Sequence, residues 1–247
     1  MILFVGSRIS STMITGLASV LFTTGVTTHA GPTSAIPPDE VLSRLGAVTE
    51  NIRDYTVTLD VTVDLDRLKV PAMKITMYFR QPDKVRFDSQ DRFAMLPREG
   101  MTLNPRRLRE NFHVGSGVPD TLGGKSVYRV VLKPKKDKTG LQELYLYIDS
   151  TRWTPERLVS PLFDGRTMSL SYAYAKVNGF WLPSENVVTF SSTVTDTTEQ
   201  DAPAQSNLPV RAPRMPRNGT VTIRYSDYKV NTGLGDEVFE KKENDGM

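Results

Sequence analysis

The sequence predicts a mainly β protein of the α+β class, in which a single antiparallel sheet holds most of the chain. Three observations predict this class. Apolar and polar residues alternate with period two over 55–65, Asp164–Gly165 and Asn178–Gly179 separate further alternating runs, and helical periodicity is confined to short segments. Consecutive hairpins, rather than strands alternating with helices, favour antiparallel pairing.

The composition narrows the possible functions. The chain has 247 residues, 38% hydrophobic and 24% charged, which is typical of one globular domain. The formal net charge is only +3, and basic residues are scattered among acidic ones, so we expect no nucleic-acid partner. Cysteine is absent, which excludes disulfides, thiolate zinc sites and cysteine nucleophiles. We expect neither a metal nor a cofactor.

Residues 1–30 have the pattern of a secretory signal peptide. Arg8 is the only charged residue before Asp39, an apolar stretch covers 13–26, and Thr28 and Ala30 place small residues where a signal peptidase cleaves. The alternative is an uncleaved membrane anchor, but the apolar stretch is short, and a span needs about 20 apolar residues. We expect cleavage near Ala30, one mature domain over 31–247, and a location outside the cytoplasmic membrane.

Two periodicities define the first elements. Residues 39–53 place apolar side chains on one face at helical spacing, and Pro38 followed by Asp39 suits the first turn of a helix. From Tyr55 to Leu65 every odd residue is apolar, and every even residue is Thr or Asp. This alternation predicts a strand with one buried and one exposed face.

Further elements follow along the chain. Strands are predicted over 73–79, 84–89, 125–133, 141–149, 168–174, 185–195 and 220–229. A short helix is predicted near 105–112, because Asn104 suits its N-cap and Leu108 and Phe112 lie four residues apart. The stretch 197–218 contains four prolines among polar residues, which predicts a flexible loop within the domain.

Residues able to carry out catalysis are sparse. His113 is the only histidine of the predicted mature chain, and Ser116 beside it lacks the spacing of a nucleophile elbow. Asp60, Asp64 and Asp66 fall on the polar face of the first strand, where charged side chains keep a sheet soluble. The sequence therefore predicts a protein that is not an enzyme.

The apolar face of the first strands is the candidate ligand-binding surface. It combines β-branched residues with methionines, whose side chains adapt to ligands of different shapes. An ordinary packed core is one interpretation, and a cavity wall too large for short helices to cover is the other. The residue pattern alone leaves both interpretations open for these residues: Val57, Leu59, Val61, Val63, Met73, Ile75, Met77, Phe79, Val85 and Phe87.

Several segments resemble a known family. Residues 78–87 (YFRQPDKVRF) resemble the strand–proline–strand corner of LolA-like outer-membrane lipoprotein-sorting proteins, a lipid-carrier family. Residues 223–234 (IRYSDYKVNTGL), followed by Phe239, are similar to the last strand and tail of that family. Residues 144–149 (LYLYID) with Trp153 and Pro155, and residues 174–183 (YAKVNGFWLP), are similar to its middle hairpins.

The resemblance implies a fold and a function. The fold is a strongly curved antiparallel sheet of about eleven strands, an unclosed half-barrel whose concave face is covered by the N-terminal helix and a short lid helix. The implied function is a periplasmic carrier of lipid or acylated lipoprotein, moving between an inner-membrane donor and an outer-membrane acceptor. The resemblance also favours the cavity interpretation of the apolar face, so we expect the ten apolar residues named above to line the cavity. We expect a monomer, with Leu108 and Phe112 as lid contacts.

Two features depart from the family pattern. The family has a basic residue directly before the corner proline, where it pins the lid; Gln81 stands there, and Arg80, one residue earlier, is expected on the opposite face. The loop 197–218 is longer than a short turn. If it docks a membrane-bound partner, the protein is instead a regulatory module that senses lipid or lipoprotein.

Overall fold

The computed structural model describes residues 34–66, 68–89, 103–135, 143–162, 165–192 and 218–240, without the side chains of 68 and 69. The predicted signal peptide lies outside these residues, and so does the Pro-rich loop except for Asn218. No helix among the described residues is long and apolar enough to cross a membrane.

The described chain forms one antiparallel sheet with three helices. The strands are β1 (Asp54–Leu65), β2 (Leu68–Arg80), β3 (Lys84–Ser89), β4 (Phe112–Val114), β5 (Val118–Leu122), β6 (Lys125–Pro134), β7 (Leu144–Asp149), β8 (Pro155–Pro161), β9 (Arg166–Val177), β10 (Phe180–Ser192) and β11 (Gly219–Val230). The helices are α1 (Pro38–Ala47), α2 (Pro105–Asn111) and α3 (Glu237–Glu240).

The strand order leaves the sheet open. Across the sheet it is β3-β2-β1-β11-β10-β9-β8-β7-β6, and both β4 and β5 pair with β6. Within the described strands, β3 at one edge does not pair with β4 or β5 at the other. The prediction of an unclosed half-barrel of eleven strands is confirmed.

Period-two alternation separates the two faces of the sheet as predicted. In β1 the odd residues from Tyr55 to Leu65 are buried, and the even residues between them are half-buried or exposed. The buried face continues across the sheet, because Val63 lies opposite Val221, and Val221 lies opposite Val188. Val41 and Leu42 of α1 and Leu108 of α2 join the same core, so both helices cover this face.

The first helix is shorter than the predicted 39–53. It ends at Ala47, one residue after Gly46, which is a poor helix former because its backbone loses more freedom on folding. The amides of Thr49 and Glu50 then bond to carbonyls three residues back, at 3.1 and 3.4 Å, which continues the spiral as tight turns. Ile52 consequently still reaches the core, although it is not helical.

Two other differences concern short elements. β4 and β5 have three and five residues, too few for alternation to be recognised, and the sequence did not predict them. β2 is longer than the predicted 73–79, since it covers Leu68–Arg80 and follows β1 after a short turn. The Asn178–Gly179 hairpin is confirmed: φ is +49° and +89° at the two residues, the left-handed values that a two-residue turn requires.

Candidate ligand cavity

Most of the ten predicted cavity-lining residues lie in the packed core. Val57, Leu59, Val61, Val63, Met73, Ile75 and Met77 are each at most 8% exposed. Phe87 is half-buried against this core, Val85 is 38% exposed, and Phe79 lines the cavity described below. That the whole set contacts a ligand stays a prediction.

The two predicted lid residues lie in the middle of α2 and directly after it. Leu108 is 5% exposed and packs into the core from α2. Phe112 is the C-cap of that helix and the first residue of β4, where it is half-buried against the core. The helix itself is confirmed, with Asn104 Oδ1 accepting the amide hydrogen of Arg106 at 2.9 Å. The covering role of both residues stays a prediction.

A cavity of 350 Å³ lies at one end of the sheet. Its walls come from the start of β1, the end of β2, the end of β9 and the start of β10, which antiparallel pairing brings to the same end. The turn after α1, the segment leading into α2 and the β7–β8 turn complete the enclosure. The volume is within the roughly 300–1,000 Å³ of small-molecule sites.

Aromatic side chains form a large part of the cavity wall. They come from β1, β2, the β7–β8 turn, β9 and β10: Tyr55, Phe79, Trp153, Tyr172, Tyr174 and Trp181. Four prolines add further rigid surface: Pro82, Pro105, Pro155 and Pro183. Aliphatic side chains contribute mainly where α1 ends and α2 approaches: Leu45, Val48, Ile52, Leu103 and Leu182.

Trp153 is held in an uncommon backbone conformation at the cavity. Its φ of +59° lies in the left-handed region, which side chains other than glycine rarely occupy. Asp149 fixes the turn, because Oδ1 accepts the amide hydrogens of Thr151 at 2.9 Å and Arg152 at 2.7 Å. Burial by itself raises the pKa of Asp149, but these hydrogen bonds outweigh burial and lower it to about 2.

Cationic side chains stack on both tryptophans. The Arg44 guanidinium of α1 lies 4.7 Å from the ring centre of Trp153, which also stacks on Tyr128 at 5.2 Å. The Arg152 guanidinium lies 5.1 Å from the ring centre of Trp181. Both indoles are therefore fixed by neighbouring side chains.

Arg152 is in turn held by carboxylates. Its Nη2 donates to Glu156 Oε1 at 2.8 Å, and the nearly buried Glu156 also accepts from Lys125 Nζ at 2.9 Å. The guanidinium also donates to Asp149 Oδ2, at 3.0 Å from Nη2. Because these charges are mutually paired, the charged groups behind Trp181 add rigidity rather than an unpaired charge.

Side-chain amides connect the β2–β3 corner to both helices. Gln81 Nε2 donates to the carbonyl oxygen of Thr49, in the turn after α1, at 2.7 Å. Asn104 Nδ2, at the start of α2, donates to the carbonyl oxygen of Pro82 at 2.7 Å. Gln81, Pro82 and Arg106 are exposed, so the cavity reaches the surface beside these contacts.

Arg80 lies on the opposite face of the sheet, as the alternation predicted. Its Nη1 donates to the carbonyl oxygen of Leu234 at 2.8 Å, its guanidinium pairs with Asp236, and it lies 5.1 Å from the ring centre of Phe239. Lys84 pairs with the same carboxylate, and these two cations lower the pKa of Asp236. Arg80 therefore attaches the C-terminal segment, while Gln81 makes the contact near the helices.

Tyrosines continue the aromatic surface away from the cavity. Tyr55 stacks on Phe79 at 4.9 Å and meets the ring edge of Tyr228 at 5.7 Å. Tyr228 donates to the carbonyl oxygen of Pro183 at 2.8 Å, and Asn186 Nδ2 donates to Tyr225 Oη at 2.7 Å. Burial raises the pKa of each of these tyrosines, so their hydroxyls remain protonated at neutral pH.

The cavity residues beyond Phe79 were not singled out from the sequence. Trp153, Tyr174 and Trp181 occur in segments that were matched only to hairpins of a family. A signal was present, since Tyr172 and Tyr174 alternate with small residues and both tryptophans of the chain stand beside hairpin turns. Periodicity assigns such residues to a face but does not show that strand ends enclose a space.

The residues considered for catalysis are dispersed. His113 is exposed on β4 opposite Lys133, and Ser116 is exposed in the turn that follows. Asp60 and Asp64 lie on the polar face of β1, where Asp60 Oδ1 is 3.4 Å from Lys74 Nζ. None of these residues lines the cavity.

The fold is similar to solved structures of low sequence identity. A putative outer-membrane lipoprotein-sorting protein domain from Vibrio parahaemolyticus is 13% identical, with a TM-score of 0.59, covering 82% of this chain and 95% of that one. A DUF1329 family protein from Desulfovibrio piger is 14% identical, with a TM-score of 0.54 and coverages of 83% and 98%.

A third structure supports the same assignment. A LolA superfamily protein from Nitrosomonas europaea is 10% identical, with a TM-score of 0.50 and coverages of 84% and 99%. No protein-family model and no curated protein matches the chain. The open antiparallel sheet, the helices on its buried face and these three likenesses together establish that the chain has a LolA-like fold.

Proposed function

We propose that the protein is an exported, periplasmic carrier that takes the apolar part of a lipid or acylated lipoprotein into the aromatic cavity and passes it towards the outer membrane. The observation that carries this proposal is the 350 Å³ cavity at the helix-covered end of a LolA-like sheet. The lipoprotein-sorting description of the similar Vibrio parahaemolyticus domain supports it.

The physical requirement for such a carrier is apolar surface. Moving an acyl chain out of a membrane costs about 0.8 kcal/mol for each CH₂ that reaches water. A carrier lowers this cost by supplying apolar contacts, here the rings of Phe79, Trp153 and Trp181. The cavity's polar neighbours serve to close it and hold its walls, so we propose binding without chemical conversion of the ligand.

The exposed rim next to the helices suggests the route of uptake. Two amide contacts, from Gln81 to the Thr49 carbonyl and from Asn104 to the Pro82 carbonyl, join the corner to the segments over the cavity. A neutral hydrogen bond contributes about 1 kcal/mol. Contacts of this strength close the cavity in the empty protein and yield to a ligand that binds the open form more tightly.

The test is extraction of a fluorescent lipid from phosphatidylethanolamine–phosphatidylglycerol vesicles. Leu103→Glu introduces a carboxylate at the cavity wall, in the segment before α2. Val118→Glu introduces the same charge at a side chain that is 43% exposed on β5, and serves as the matched control. We expect Leu103→Glu to extract at least ten-fold less lipid than the parent protein, and Val118→Glu to extract as much as the parent protein. Equal extraction by both variants would refute the proposal.

A further inference from the structure

The cavity wall is poor in the side chains that adapt to flexible chains. Methionine is the residue best suited to repack around a ligand. No methionine of the described residues lines the cavity, and Met73 and Met77 are 6% and 1% exposed in the packed core. Rings of aromatic residues and proline make up much of the wall instead.

Contacts behind the wall hold these rings in place. The ring centre of Trp153 lies 5.2 Å from that of Tyr128 and 4.7 Å from the Arg44 guanidinium. Trp181 is stacked against Arg152, while Tyr55 stacks on Phe79 and meets the ring edge of Tyr228. A ligand that required the wall to change shape would have to break these contacts. The cavity therefore presents a largely fixed shape.

A fixed cavity favours a ligand of fixed shape. Ordering a flexible chain costs entropy for each rotatable bond, whereas a rigid ring system has little left to lose on binding. Aromatic walls also attract ring faces and edges at centroid separations of about 4.5–7 Å. At 350 Å³ the cavity is near the small end of ligand sites, which disfavours a lipid with two long chains.

Polar groups in the wall lack a hydrogen-bond partner among the described residues, and the buried hydroxyl of Thr154 is one of them. Among the described residues, the hydroxyl of the half-buried Tyr174 has no hydrogen-bond partner. Burial and the nearby carboxylate of Glu156 raise the pKa of Tyr174, so the hydroxyl keeps its proton at neutral pH. It is able to donate to an oxygen of a ligand.

We infer that the ligand is a ring-bearing lipid, with a flat fused-ring body lying among Phe79, Trp153 and Trp181 and one hydroxyl or carbonyl oxygen bound to Tyr174. The inference rests on the proposed function and names the ligand class for the same cavity. It places selectivity in the rigid rings and a single hydrogen bond, rather than in the length of an acyl chain.

The test compares three probes by equilibrium titration with the full chain. Pyrenemethanol has four fused rings and a hydroxyl, methylpyrene lacks the hydroxyl, and hexadecanol is a flexible alcohol with a similar number of carbons. We expect pyrenemethanol to bind at least ten-fold more tightly than hexadecanol. We expect methylpyrene to bind about five-fold more weakly than pyrenemethanol, since one neutral hydrogen bond contributes about 1 kcal/mol.

Tyr174→Phe separates the hydrogen bond from the shape of the ring. It should lower the affinity for pyrenemethanol about five-fold, to that of methylpyrene, and leave methylpyrene unchanged. Tyr147→Phe, the matched control, removes a hydroxyl from the other face of the sheet and should leave the affinities for pyrenemethanol and methylpyrene unchanged. Hexadecanol binding as tightly as pyrenemethanol, or Tyr174→Phe weakening both pyrenes equally, would overturn the inference and leave the carrier function standing. Failure of all three probes to bind would overturn both the ring-bearing ligand and the carrier function.

Discussion

Two regions of the same buried face differ in how completely they are filled. Along the middle of β1 and β2 the side chains are closely packed, and Leu59 and Ile75 are 0% and 1% exposed. At the strand ends near Trp153 and Trp181 the same face encloses a 350 Å³ cavity. An alternating apolar pattern therefore identifies the buried face of the sheet. The location of a cavity on that face depends on the space that the helices and turns leave unfilled.

The packed region should be the more sensitive to a buried charge. Ile75→Glu places a carboxylate among apolar side chains without a partner, so we expect the free energy of unfolding to fall by more than about 4 kcal/mol. Ile75→Val, the matched control, should cost about 0.5–1.5 kcal/mol. Urea denaturation followed by circular dichroism measures both. A folded Ile75→Glu of parental stability would show that this region is not packed.

The cavity region should show the reverse pattern, with a large effect on binding and a smaller one on stability. Trp181→Ala removes a wall that is half-buried, so we expect at least ten-fold weaker binding of an apolar fluorescent probe and a stability loss below that of Ile75→Glu. Trp181→Phe keeps a ring and should retain most of the affinity. Unchanged binding in Trp181→Ala would mean that the ligand lies elsewhere.

The corner contact should control exchange rather than affinity. Gln81→Ala removes the donor to the Thr49 carbonyl, which contributes about 1 kcal/mol, so we expect probe uptake and release to become about five-fold faster. Gln81→Arg retains a donor and should exchange at nearly the parental rate. Stopped-flow fluorescence measures both rates. Equal rates in the two variants would exclude this hydrogen bond as the element that closes the cavity.

The last expected effect concerns the turn that carries Trp153, and it appears as a loss of stability at acid pH. The pKa of Asp149 is about 2 in the folded protein against 3.8 for an unperturbed carboxyl. A lowered pKa means that Asp149 stabilises the fold fully above about pH 4, and that this contribution is lost as the pH falls towards 2. We expect Asp149→Asn to flatten the fall in stability over that interval, measured by thermal unfolding. An identical fall in the variant would assign the acid sensitivity to other groups.

Much of the fold was predictable from local patterns. The alternation from Tyr55 to Leu65 located β1 and its buried face, Asn178–Gly179 located the β9–β10 hairpin, and Asn104 located the start of α2. These signals are local because period, turn conformation and capping each depend on a few neighbouring residues. The end of α1 was not predicted, since the tight turns after Ala47 preserve the apolar spacing of a helix.

The site was less predictable, because it is assembled from distant segments. Phe79, Trp153 and Trp181 line one cavity only when the seven strands from β2 across to β7 have paired, and nothing in their immediate sequence encodes this arrangement. The placement of Arg80 and Gln81 on opposite faces was predictable, because neighbouring residues of a strand face opposite sides. That Gln81 reaches the turn after α1 depends on the packing of that helix, which is a tertiary contact.

The proposed carrier function requires an apolar ligand to lie against the aromatic end of the sheet, and both tryptophans of the chain line that cavity. Intrinsic fluorescence therefore reports on it without a label. The probe is a dibrominated fatty acid, whose bromines quench indole fluorescence on contact. Titration with it should quench the tryptophan fluorescence of the parent protein and of Trp153→Phe and Trp181→Phe, each of which retains one indole. If equilibrium dialysis shows that the ligand binds while neither tryptophan is quenched, the proposal that the ligand lies in this cavity is contradicted.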